Sequence, residues 1–432
     1  MAGICDNARM TIVADPTDAD VVIVNTCGFI DDAKTESIDT IFDMAGLHRP
    51  MLIVCGCLSQ RYGSELADEM PEVDYFLGVN DYERLPEIIE GTGSGDERIC
   101  IGSTPECFTE FSARRLGGNP YSATLRIAEG CNNCCAYCVI PQIRGRYRSR
   151  KMENIIAEAD QLAASGTREL LLIAQDVTEY GRDLYGTMKL PELLRRLCQI
   201  DGIRWIRLMY CYEDKITDEL INVMAAEEKI CKYIDIPLQH FSDDVLKSMR
   251  RRSTSASIKD TIARLRSAIP DIHIRTTFIT GFPGETESDF EKLADFAEET
   301  RFERLGVFAY SREKGTPAGD MECQIDEEIK AERADYIMRH QVDISREINE
   351  DKIGSIMEIL VEGVDDENGY GADSGNSEGA AYIGRTEYDA PEIDGNVIFT
   401  VSERSEPLKP GDFVKVRIDD AFDYDLVGTL IE

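Results

Sequence analysis

The alternation of apolar and polar positions divides the chain into three stretches. In the first, "ADVVIVNTC" and "MLIVCGC" are short apolar runs of the kind that form strands buried on both faces. Each leads into a polar or helical stretch such as "DDAKTESIDTIFDMAG", so residues 1–105 read as an α/β domain. A Gly-rich segment, "EGTGSGDERICIGSTPE", then breaks the pattern and reads as a linker. From Ala123 strand and helix alternate. The candidate strands are "ATLRIAEG", "ELLLIAQD", "WIRLMYCY", "YIDIPLQ", "IHIRTTFITG" and "RLGVFAYS", separated by helical patterns such as "MENIIAEADQLAASG" and "TESDFEKLADFAEETR". Six βα units in a row predict a parallel sheet over 117–349, curled as an open, partial barrel. Closure to eight units needs two more strands, which the pattern does not hold. After a long helix ending near Asn349 come "SIMEILVEGV", "AAYIGRT", "GNVIFTV" and "FVKVRIDDAFDYDLVGTLI". These short runs between Gly-rich and acidic turns predict a small antiparallel barrel of OB-like type over 352–432. The fold class is α/β with a C-terminal β-barrel.

At 432 residues, two or three domains are the natural count. No run of about 18 apolar residues exists, so no membrane span is expected. The start, "MAGICDNARM", lacks a basic region followed by an apolar run. The 14 cysteines then belong in a reducing, cytoplasmic compartment, where metal ligation or catalysis is commoner than structural disulfides. A formal net charge of −35 argues against broad nucleic-acid binding, which rests on phosphate neutralisation. Two basic clusters interrupt it: Arg144, Arg146, Arg148, Arg150 and Lys151, then Lys247, Arg250, Arg251 and Arg252. Each reads either as a solvated face or as a local basic groove. Residues 351–432 hold 20 acidic against 6 basic side chains, a formal charge of −14.

Candidate chemistry centres on "GCNNCCAYC" (Gly130–Cys138). Cys131, Cys135 and Cys138 form C-x3-C-x2-C directly after the first barrel strand, at the end where such folds place chemistry. Three thiolates can hold three irons of a [4Fe–4S] cube and leave the fourth iron open to a ligand. A zinc site usually takes four ligands in two close pairs, so an odd triplet suits it poorly. Cys134 reads as a bystander.

With its aromatic neighbour, "CNNCCAYC" resembles the signature of radical S-adenosylmethionine enzymes. The resemblance implies that S-adenosylmethionine chelates the open iron and that an electron from the cluster cleaves it to a 5′-deoxyadenosyl radical. "FITGFPGE" (Phe278–Glu285) resembles the fifth-strand segment whose backbone approaches the adenine, where Gly281 and Gly284 would permit close approach. Gln175 and Asp176 end the second strand, and Gln239 and His240 the fourth. They are candidates for cofactor hydrogen bonds, and each reads equally as an ordinary polar residue closing a strand. No residue is assigned as a catalytic acid or base.

Cys27 in "VNTCGF" and Cys57 in "CGCLSQ" each end a strand of the first domain. Alone, each reads as a buried thiol. Placed before a radical domain, they resemble the second cluster site of the methylthiotransferases, which join such a domain to a radical core and a C-terminal TRAM domain. Within that family "VVIVNTCGFIDDAKTESIDTI", "IRGRYRSR", "GRTEYDAPEIDG" and "DYDLVG" resemble the RimO-type subgroup. That subgroup modifies the β-carbon of an aspartate in the S-twelve protein of the small ribosomal subunit, with two [4Fe–4S] clusters and an electron donor. A −14 barrel suits a basic ribosomal protein better than tRNA phosphates, although salt screens beyond about 8 Å. The alternatives are a tRNA adenosine methylthiotransferase, for which the basic clusters argue, and a non-catalytic zinc or iron scaffold. The resemblance also implies that the chain lacks a first strand and a "GC-x-KN-x-VDSE"-like loop carrying the third ligand of the second cluster. Cys5 is a poor substitute. Cys55, if on one strand with Cys57, would share its face. The expectation is a complete radical cluster and an incomplete second one.

Overall fold

A computed structural model describes residues 1–47, 50–91, 97–110, 114–115, 119–364, 381–401 and 407–431. The chain forms two compact units, one drawn from residues 1–116, 129–148 and 311–321, the other from 117–128, 149–310 and 322–432.

The first unit carries a parallel sheet of β1 (Val21–Thr26), β2 (Met51–Gly56), β3 (Tyr75–Leu77) and β4 (Ile99–Cys100), in that order. β2 is apolar along its length because it is covered on both sides. Leu52 and Val54 pack with Ile41, Leu58 and Leu66 from the helices Asp31–Ala45 and Cys57–Glu69, while Ile53 and Cys55 pack with Leu85 and Ile88. β4 lies inside the stretch read as a linker. That stretch adds an edge strand, and its glycine-rich part, 92–96, lies outside the described residues.

In chain order, β5 (Ser122–Arg126) is followed by two-residue strands β6 (Ala128–Glu129) and β7 (Arg148–Ser149), which bracket the cysteine loop. The second unit's main sheet is β5 with β8 (Glu169–Ile173), β9 (Trp205–Leu208), β10 (Ile230–Gln239), β11 (His273–Thr280) and β12 (Arg304–Ala309). All pairings are parallel, in the order β12-β11-β10-β9-β8-β5, the six-unit open barrel that the rhythm predicts. The helices begin where side chains can take up free N–H groups: Thr254 with Ser257, and Thr286 with Asp289, form reciprocal capping boxes.

The same unit holds β13 (Ile356–Val364), β14 (Ala381–Arg385), β15 (Val397–Thr400), β16 (Phe413–Ala421) and β17 (Leu426–Leu430), closed in the order β13-β14-β15-β17-β16. The expectation of an antiparallel barrel needs one correction: β15 and β17 run parallel. An odd number of strands cannot alternate direction all the way round a closed ring, so one parallel pair is unavoidable.

Charges seat this barrel on the sheet. Glu169 of β8 accepts from Arg385 (2.7 Å), Arg207 (3.0 Å) and Ser122 (2.8 Å). Arg207 also donates to the carbonyl of Glu387 (2.7 Å), Arg304 to Asp389 (2.6 Å) and Tyr233 to Asp394 (2.8 Å). Glu169, Arg207 and Arg385 are all fully buried, at 1% exposure or less. Where parallel barrels ordinarily stack Val, Ile and Leu, this sheet meets "GRTEYDAPEID" with ion pairs. Trp205 and Phe413 complete the junction edge to face at 4.8 Å.

Candidate metal centre

The triplet loop belongs to the first unit. It opens at Gly130 with φ 81°, where a Cβ would fall 2.2 Å from the carbonyl oxygen of Arg146, so only glycine lets the loop's two ends approach. Cys131 N–H donates to Gly145 O (3.1 Å) and Tyr147 N–H to Asn132 Oδ1 (3.1 Å), closing it. Ala318 N–H to Ala136 O (2.9 Å) ties the loop to segment 311–321. Cys131 and Cys135 are buried, Cys138 is half-buried, and Cys134 is exposed. Burial pushes the Cys138 thiol up to about 12, and the neighbouring Cys135 and Cys131 add to that. Three thiols gathered in one short loop suit a shared metal group, and soft donors in this number fit an iron–sulfur cube. Among the described residues no three His, Cys, Asp or Glu side chains close on a single metal ion. A cube does not require them to, because each of its protein ligands binds a separate iron.

Cys27 and Cys57 follow β1 and β2, whose register ends at Thr26 opposite Gly56, so the two cysteines leave neighbouring strand ends together. Their loops touch: a Cβ on Gly28 would lie 2.8 Å from Leu58 N and 2.9 Å from Cys57 O. Cys57 is not on the strand with Cys55. It is the first residue of the helix Cys57–Glu69. Cys55 stays in β2, fully buried, its thiol pushed up to about 12 by burial. Cys5 is buried in the helix Ala2–Asn7. The structure therefore brings Cys27 and Cys57 together and leaves Cys55 packed inside the sheet.

Sequence reasoning missed the groups around this pair. Arg144 donates to Cys57 Sγ (3.4 Å) and to Glu129 Oε1 (2.6 Å). Arg61 donates to Gly28 O (3.0 Å) and Glu313 Oε2 (2.9 Å), and Lys34 to the same carboxylate (2.9 Å). Arg144 was visible only as one member of a basic cluster. That cluster is divided: Arg146 and Lys151 are exposed, whereas Arg148 and Arg150 are buried, Arg148 on the carbonyls of Arg144 and Arg146, Arg150 on Glu158 and Arg126 O. In the second cluster Arg251 is buried too, on Pro237 O and over the Tyr212 ring, while Lys247, Arg250 and Arg252 are exposed.

The candidate cofactor residues lie in the second unit. Gln175 Oε1 is buried without a hydrogen-bond partner, which fits an acceptor for a ligand's amino group. Asp176 is already engaged: Lys215 holds it at 2.5 Å and also binds Glu179 at 2.8 Å. Gln239 ends β10 with φ 72°. Gly281 and Gly284 have φ 71° and 86°, and a Cβ on Gly281 would lie 2.1 Å from Lys330 Cγ. The space at Gly281 is filled by that lysine stem. Glu285 fixes the turn, accepting from Gly281 N–H (2.9 Å) and Arg333 (2.8 Å). His240 is fully buried; its Nδ1 accepts from Ser242 N–H (3.0 Å) and its Nε2 faces Glu285 (3.2 Å), a supporting place rather than a reacting one.

Comparisons agree with this layout. Residues 125–297 match the Radical SAM superfamily, 353–431 the TRAM domain and 1–78 the uncharacterized protein family UPF0004. The ribosomal protein uS12 methylthiotransferase RimO of Geobacter sulfurreducens is 48% identical over 436 residues, covering 100% of this chain and 94% of that protein. Its namesake in Clostridioides difficile is 46% identical over 435 residues, covering 100% and 95%. The radical S-adenosylmethionine methyltransferase TsrM of Kitasatospora setae shares the fold, with a TM-score of 0.56 at 14% identity over 86% of this chain and 70% of that one. At such full-length identity, and with the three-thiol loop between its two partner domains, the chain belongs to the RimO-type methylthiotransferases of the radical S-adenosylmethionine superfamily.

Proposed function

We propose that the chain transfers a methylthio group to the β-carbon of an aspartate in ribosomal protein uS12, in the cytoplasm and with an external electron donor. Cys131, Cys135 and Cys138 would hold one [4Fe–4S] cluster, and Cys27 and Cys57 would contribute to a second. When bound, the first cluster and S-adenosylmethionine supply one-electron chemistry able to take hydrogen from an unactivated carbon. The chain's own residues bury two of the three thiols, offer Gln175 Oε1 to the cofactor and fix the Gly281–Glu285 turn through Glu285.

The observation that carries this reading is the union of both cysteine sets in one compact unit, linked by Arg144 between Glu129 and Cys57. Substrate choice rests on charge: a −14 barrel attracts a basic protein and repels phosphate. The buried arginines weaken the argument for tRNA, since Arg148, Arg150 and Arg251 are already committed inside the fold and only Arg146, Lys151, Lys247, Arg250 and Arg252 are exposed. The test is anaerobic reconstitution with iron and sulfide, counting of both, and reductive cleavage of S-adenosylmethionine. Incubation with uS12 and, separately, with tRNA follows, each weighed for one methylthio group. Gain by tRNA and not by uS12 would overturn the substrate assignment.

A further inference from the structure

Three neighbouring strands of the parallel sheet end in the same unusual way. Tyr210 after β9, Gln239 at the end of β10 and Gly281 after β11 all have left-handed backbones, with φ 58°, 72° and 71°. Glycine adopts that conformation freely. A tyrosine does so only when its surroundings impose it, and such residues gather at functional sites.

The surroundings of Tyr210 do impose it. Its N–H donates to Asp235 Oδ2 (2.9 Å), and its carbonyl accepts from Val177 N–H (3.2 Å). Asp235 is 1% exposed and is fixed in turn by Arg275 (3.3 Å), which reaches Asp394 (3.4 Å) of the segment seating the small barrel. A buried ion pair thus holds the backbone of a residue that is itself 44% exposed. Position adds to the argument: Tyr210 stands at the carboxyl end of its strand, the end that carries chemistry in parallel barrels. The phenol is moreover kept a proton donor, since burial and then Asp235 both raise its pKa.

We infer that Tyr210 is a specificity-determining residue, whose phenol donates a hydrogen bond to the carboxylate of the aspartate that is modified. The inference rests on the protein-substrate reading above and names the group that distinguishes aspartate in it. A chain with 82 acidic side chains needs a neutral donor at this point more than most, because its general field repels the substrate's carboxylate. A donor to a charged acceptor also rejects an isosteric amide less strictly when it is removed, which supplies the readout.

The experiment uses the reconstituted full chain with uS12, and with uS12 carrying Asn at the target position as a competing ligand. Tyr210→Phe removes only the hydroxyl. The expected result is a roughly tenfold rise in KM for uS12, a roughly tenfold loss of preference for Asp over Asn in competition, and no change in substrate-free cleavage of S-adenosylmethionine. Tyr210→Ala should weaken uS12 binding at least as much. An unchanged KM and unchanged preference in Tyr210→Phe, with wild type active on uS12, overturn the inference alone. Wild type inactive on uS12 overturns the inference together with the reading beneath it. If Tyr210→Ala misfolds, Tyr210→Phe still decides, because it leaves the ring and the backbone bond to Asp235 in place.

Discussion

Glu169→Gln removes one negative charge from the junction between sheet and barrel and almost no volume. In the folded protein burial works to raise the pKa of Glu169, and Arg385 and then Arg207 outweigh it, holding the carboxyl at about 2 against an ordinary 4.5. At about 1.4 kcal/mol per pH unit, that preference for the ionised form is worth about 3 kcal/mol. An independent route agrees: leaving a buried partner uncompensated costs about 3–5 kcal/mol, and here Arg207, at 0% side-chain exposure, loses its carboxylate while Arg385 keeps only Glu362. The expected loss is therefore about 3 kcal/mol. The single tryptophan, Trp205, lies in this junction against Phe413, so its fluorescence during urea unfolding reads the right place. The pH dependence follows in sign. The folded value lies below the unfolded one, so the contribution is complete above about pH 4.5 and is lost as pH falls toward 2. Glu169→Gln should flatten that part of the wild-type acid profile. A variant within about 0.5 kcal/mol of wild type, with an unchanged acid limb, would refute the reasoning.

Cys131→Ala, Cys135→Ala or Cys138→Ala should abolish reductive cleavage of S-adenosylmethionine, whereas Cys134→Ala, at an exposed position, should retain it; equal damage from Cys134→Ala would show that the ligand set is wrong. Gln175→Ala should weaken S-adenosylmethionine binding roughly tenfold by calorimetry with no loss of thermal stability, because the buried Oε1 has no partner among the described residues. Gly281→Ala should destabilise by about 1–3 kcal/mol in urea, since alanine must both adopt φ 71° and displace the buried Lys330 stem. Asp420→Lys should weaken uS12 binding with radical chemistry intact; Asp420 is preferable to Asp419 and Asp423, which are paired with Arg417 and Arg346, and to Asp425, which accepts from Asn396 N–H (2.7 Å).

What the sequence discloses here follows from range. Strand periodicity is local, so the six βα units, β1 and β2 of the first domain and the helix from Asp31 were legible from their own residues, while the short β3 and β4 were not. The cysteine triplet was legible because its three thiols lie within eight positions. What failed depended on partners far along the chain. Cys55 and Cys57 were tied to a shared face, but Gly56, with φ 105°, ends the strand between them. Asp176 looked free until Lys215, 39 residues on, claimed it. Arg144 and Arg148 looked like a basic patch because their acceptors, a thiol 87 residues away and carbonyls of their own loop, leave no pattern in composition. "GRTEYDAPEIDG" marked a subgroup without disclosing a role, which appears only when Glu169, 216 residues earlier, is seen to grip Arg385.

The seating of the small barrel by ion pairs bears on how such an enzyme can be reshaped by descent. An apolar contact tolerates a stranger, because one greasy surface serves nearly as well as another. A buried lattice of charges does not: a barrel borrowed from a cousin without Arg385, Asp389 and Asp394 would abandon Glu169, Arg304 and Tyr233 beneath it. Lock and wards must then change in step, and grafting between subgroups should succeed only when both sides of the charge code travel together.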